Sequence, residues 1–88
     1  MFEAVESVEF RDRPGTSPVE RLIGVFEVER EAVEAARAAR DAFVAGGSLD
    51  YGWWVVRHEG ARLARWIADS RSAKEFALDL RSGQLVEV

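Results

Sequence analysis

The chain has no cysteine, one histidine, two prolines and one lysine among 88 residues. Without cysteine there is neither a disulfide framework nor a thiolate metal site. With His58 as the sole histidine, no histidine cluster can form within one chain, and His58 itself reads as a solvated residue at a hairpin tip. Seven glycines and two prolines leave no room for a long flexible linker. No apolar run approaches the roughly 20 residues that span a bilayer. The first ten residues, MFEAVESVEF, hold three glutamates and no basic stretch, so a signal peptide is not expected. These absences point to a cytoplasmic protein with no metal, redox or other cofactor, held together by packing alone.

What is present suits a small core. The chain is 48% hydrophobic and 32% charged, which is too apolar for disorder and too charged for a membrane protein. Three Trp, five Phe and one Tyr are a large aromatic supply for one domain of this length, taken as 1–18 arm and loop and 19–88 core. The net charge of −4 is uneven: residues 1–34 carry nine acids and four bases, residues 35–88 seven acids and eight bases. Eleven Arg against one Lys, with abundant Ala, Val and Glu, reads as a GC-rich bacterial genome.

Residues 2–10 alternate loosely and are expected to form an extra N-terminal edge strand or an ordered arm, followed by the turn-rich RDRPGTSP at 11–18. Residues 19–28 read as a strand, with Leu22, Phe26 and Val28 on one face and Val19, Ile23 and Val25 on the other. Residues 30–45 place Ala32, Ala35, Ala36, Ala39, Ala42 and Phe43 on one helical stripe, opposite Arg30, Glu34, Arg37 and Asp41. Acids near the start suit the helix dipole, and Gly46-Gly47 supplies a left-handed stop. Two apolar strands follow at 51–58 and 61–68, joined at Glu59-Gly60, then a loop at 69–72. Phe76, Leu78 and Leu80 alternate over 76–80, and Ser82-Gly83 turns the chain into 84–88. A capping box at Ser72 and Glu75 makes a short helix over 73–80 the rival reading; the Ser-Gly turn favours the strand.

The expected fold is α+β: one helix packed on an antiparallel sheet, in the order β-α-β-β-β-β. This order resembles that of cystatin-like folds, in which a meander wraps one helix. The inhibitory Gln-x-Val-x-Gly hairpin of cystatins is absent, and the turn here reads Val55-Val56-Arg57-His58-Glu59-Gly60. The analogy concerns architecture and carries no function.

If Glu59-Gly60 is a two-residue turn, His58 pairs with Ala61 and the central hairpin has two apolar faces. One carries Tyr51, Trp53, Val55, Ala64, Trp66 and Ala68. The other carries Trp54, Val56, Leu63 and Ile67, with Arg65 and His58 at its rim. A single helix covers one side only, and its alanines are best matched by the Trp53/Trp66 face. The Trp54, Val56, Leu63 and Ile67 face then needs a cover, from the N-terminal arm, strong curvature of the sheet or a second protein chain, and a homodimer or another protein partner is expected.

Catalytic signals are weak. None of the six serines sits in a nucleophile motif, and the glycines form no phosphate loop. Asp69, Glu75 and Asp79 fall near one strand end but read as solvated charge, and no enzyme acting alone is expected. Arg57, Arg62, Arg65, Arg71 and Lys74 beside Trp54 and Trp66 resemble a single-stranded nucleic-acid platform, weakened by the acidic chain. A third reading is a small-ligand pocket between helix and sheet, where Trp53, Trp66 and Arg40 meet. The leading expectation is a non-enzymatic protein-interaction module of a regulatory or immunity type, with no membrane partner.

Overall fold

A computed structural model describes residues 1–88. The order is β1 (Phe2–Glu9), β2 (Val19–Phe26), α1 (Glu29–Ala45), β3 (Tyr51–His58), β4 (Ala64–Asp69), β5 (Glu75–Asp79) and β6 (Gln84–Glu87). All six strands form one sheet in the spatial order β2-β1-β3-β4-β5-β6, every neighbouring pair antiparallel. The fold is α+β, one helix on an antiparallel sheet. No helix is long and apolar enough to cross a membrane.

The N-terminal strand lies inside the sheet, between β2 and β3, and not at its edge. Its composition explains the place. Phe2, Ala4 and Val8 share the helix side, with Val5 on the other, and the strand holds no proline, so its backbone can pair along both edges, with β2 and with β3. Ala4, Val5, Ser7 and Val8 are all buried. The strand reading of the fifth element holds, and Glu75–Asp79 pairs with both β4 and β6.

The helix begins at Val28, whose backbone is extended and which offers no side-chain cap; Glu29 and Glu31 occupy the first turn, where the dipole favours them. It stops where Gly47 adopts φ +70° and donates its N–H to the Val44 carbonyl. Ala32 and Ala36 are fully buried, so the helix axis comes close to the sheet and large sheet residues fill the space on either side. Those residues are Trp54 and Val56 from β3 and Trp66 from β4, ringed by Phe2, Ile23, Phe26 and Phe43. Phe43 meets the Trp54 ring edge-on at 5.3 Å.

Two register shifts adjust which residues face the helix. Ile23 is an extra residue opposite the Ala4/Val5 step, so Ile23 and Phe26 both reach the core despite their odd spacing. Arg65 is the extra residue opposite the Val56/Arg57 step.

The hairpin between β3 and β4 differs from the two-residue turn expected at Glu59-Gly60. Ala61 donates its N–H to the His58 carbonyl at 2.9 Å, and Gly60 has φ +77°, the pattern of a type II turn. That turn does not match the twist of two strands. The chain therefore runs on through Arg62 and Leu63 before pairing resumes, with Arg57 opposite Ala64 and Val56 opposite Trp66. Relative to the expected pairing, β4 is displaced by an odd number of residues, which exchanges its two faces.

Candidate interaction surface

With that register, Trp54, Val56, Trp66 and Ala68 lie under the helix. Tyr51, Trp53 and Val55 of β3 point to the opposite side, with Ile67 of β4, Phe76 and Leu78 of β5, and Leu85 of β6. All but Leu85 are half-buried by one another, and no element covers them. Val5 and Ser7 of β1 belong to the same side but sit low, 5% and 3% exposed, between larger neighbours on β2 and β3. Beyond them Leu22 and Val25 of β2 extend the apolar surface to the edge.

One end of this face holds a cleft of about 560 Å³ whose apolar walls include Tyr51, Trp53, Ile67 and Phe76. The Tyr51 and Trp53 rings lie 5.5 Å apart, and the Arg71 guanidinium stands 4.5 Å over Tyr51. The Tyr51 hydroxyl donates to Asp69 Oδ2 at 3.2 Å. Burial, then the nearby Asp69 carboxylate, raise its pKa above the usual tyrosine value. Asp69 Oδ1 accepts the backbone N–H groups of Arg71 and Ser72. The acid is thus saturated and its tyrosine is held as a donor. The arrangement fixes the cleft wall and activates no nucleophile. Glu9 and Lys74 flank the cleft, and neither forms an ion pair within the chain.

The six residues expected to form the interaction face are separated. Trp54 and Val56 are 0% exposed, and the Trp54 indole N–H donates to Glu6 Oε2 at 2.9 Å. They belong to the core, because the altered turn reverses the face of β4 and the helix packs on the Trp54 side. Leu63 is exposed in the β3–β4 connection, clear of both faces. Arg65 reaches the helix start, where its Nη2 donates to Glu29 Oε2 at 3.0 Å. His58 stacks on Phe2, with ring centres 4.4 Å apart. Ile67 alone lies on the open face. Tyr51, Trp53, Val55, Phe76 and Leu78 were not among the expected residues. Glu59 is the signal for the changed β3–β4 register, since both primed two-residue turns need a left-handed first residue, which Glu disfavours. The side of β3 that the helix covers is set separately, by its packing on Trp54 and Val56.

The other constellations also separate. Trp54 and Trp66 lie beneath the helix, so neither can stack on a base; Arg57 and Arg65 are engaged by Glu3 and Glu29. Trp53 and Trp66 stand on opposite sides of the sheet, so no pocket forms between them and Arg40. Glu75 turns toward the helix and accepts from Arg37 Nε at 2.8 Å and Nη2 at 2.6 Å, from Arg40 Nη2 at 3.4 Å and from the Trp66 indole N–H at 3.2 Å. The Arg37 fork holds the Glu75 carboxyl down at about 2. Asp79 accepts the Arg81 backbone N–H. No group of three His, Asp or Glu side chains stands close enough to hold a metal ion.

Comparisons with protein-family models, with curated proteins and with solved structures gave no match.

Proposed function

We propose that the chain is a non-enzymatic protein-interaction module of the bacterial cytoplasm that self-associates through the open face of its sheet. The observation that carries this reading is the line Trp53, Val55, Ile67, Phe76 and Leu78, an apolar band across three adjacent strands with nothing over it. An antiparallel sheet with one face in water normally shows polar residues there. Six strands spaced about 4.8 Å apart and averaging about 20 Å in length give a face on the order of 500 Å² before side-chain relief is counted. That suits an interface of standard size, about 800 Å² of accessible surface per partner.

Sedimentation velocity across a concentration series tests the reading. A dimer in the micromolar range is expected for the wild type. Trp53→Glu and Ile67→Glu should each give a monomer with an unchanged circular dichroism spectrum. A wild-type chain that stays monomeric at high micromolar concentration would overturn it.

A further inference from the structure

Resting on that reading, we infer that two copies pack face to face about a two-fold axis parallel to the strands and midway between β3 and β4, with Glu9 of each copy paired to the partner's Lys74. The order β2-β1-β3-β4-β5-β6 has its midpoint between β3 and β4. A two-fold there lays β3 over the partner's β4, β1 over its β5 and β2 over its β6, and aligns the two sheets as sandwich layers align, about 30° apart.

Three features of the face match under that operation. The first is size. Val5 lies in register with Val55, Ile67 and, across the sheet, Phe76. The rotation therefore sets the partner's Phe76 ring on the low strip made by Val5 and Ser7, the two most deeply sunk residues of the open side. The second is the edges, where Leu85 of β6 comes over the partner's Val25 on β2. Both are exposed apolar residues within a single copy.

The third is charge. Glu9 is opposite Tyr51, and Lys74 follows from the β4–β5 register as the neighbour of Asp69, which is opposite Trp53. Both stand at the same end of the sheet and border the same cleft, three strands apart, with no counter-ion of their own. Under the rotation the two differ in height by one residue pair, about 7 Å along the strand, within the combined reach of the two side chains. The symmetry makes the contact twice. The alternative in-plane axis, across the strands, stacks β1 on β1 and β5 on β5. It sets the low strip over itself, Phe76 against Phe76 or Leu78, and Glu9 toward the partner's Glu3.

Charge exchange tests the axis separately from self-association. Glu9→Lys and Lys74→Glu are each expected to weaken dimerisation about tenfold at low salt, since each makes two like-charge contacts. The double variant, Glu9→Lys with Lys74→Glu, should dimerise as the wild type does. An equimolar mixture of the two single variants should form the mixed dimer in preference to either homodimer, read by native mass spectrometry with one variant isotopically labelled. A wild-type dimer whose single variants associate normally and mix statistically would overturn this arrangement and leave self-association standing. A monomeric wild type would overturn both.

Discussion

Trp53 and Trp54 are adjacent in the chain and lie on opposite sides of the sheet: Trp54 is 0% exposed beneath the helix, and Trp53 faces outward against Tyr51. The same residue type thus has two separate tasks. Trp54→Ala removes the largest fully buried side chain and leaves the Glu6 carboxylate without its indole donor, and is expected to destabilise the fold by about 3–5 kcal/mol. Trp53→Ala should cost the isolated chain less, about 1–2 kcal/mol, because its ring is only half-buried. Urea denaturation at low micromolar concentration, where association contributes little, distinguishes the two.

Glu75 makes stability depend on acid. Its folded pKa is about 2, below the unfolded value of 4.5, chiefly because Arg37 donates two hydrogen bonds to its charged form. The sign follows: the folded chain holds this proton less tightly than the unfolded chain, so the contribution is complete above about 4.5 and is lost as pH falls toward 2. Glu75→Gln should flatten that part of a stability-against-pH curve. Glu75→Ala should cost about 2–3 kcal/mol at neutral pH, because Arg40 and the Trp66 N–H lose a partner in a mostly buried site. Thermal melts from pH 2.5 to 7 read both effects.

Two glycines should respond to alanine for different reasons. A Cβ at Gly52 would stand 2.7 Å from the edge of the Trp54 ring, which the helix holds in place, so Gly52→Ala should destabilise by about 1–3 kcal/mol through overpacking. A Cβ at Gly60 meets nothing within 4 Å, yet the backbone there has φ +77°. Gly60→Ala should therefore cost about 1 kcal/mol, from the turn alone. Paired denaturation curves give the comparison. Equal losses would contradict the contact at Gly52.

Arg65 is a polar residue that the core carries at little gain. Its Nε is buried without a hydrogen-bond partner, and its one ion pair is to Glu29, which the helix dipole already favours. Arg65→Met keeps the stem that packs and removes the orphaned donor. A stability within about 1 kcal/mol of wild type, or above it, is expected in chemical denaturation. A loss beyond 2 kcal/mol would show that the Glu29 pair outweighs the orphan.

Periodicity is legible in this sequence and turn geometry is less so. Helix 30–45 emerges from the alanine stripe, whose period side-chain burial imposes directly, and strand 51–58 from a short apolar run ending at a turn signal. The surplus apolar face was also legible from the pattern. Its membership was not, because the pairing of β3 with β4 depends on five connecting residues, 59–63, whose conformation no period encodes. Glu59 held the clue, as a residue that resists the left-handed backbone of a two-residue hairpin. The interior place of β1 was hidden for another reason: its partner β3 lies some fifty residues away, and local patterns do not report such pairings.

That long pairing has a kinetic consequence. Every strand contact but one joins neighbours in the chain: β1 with β2, and β3 through β6 in succession. The exception is the seam from Phe2 opposite His58 to Glu9 opposite Tyr51, which closes a loop containing the whole helix. The hairpin before the helix and the meander after it can each begin ordering on the microsecond scale, whereas the seam must first overcome loop-closure entropy. Zipping β1 against β3 is expected to set the folding rate, and its backbone amides should exchange more slowly than those of the β6 edge.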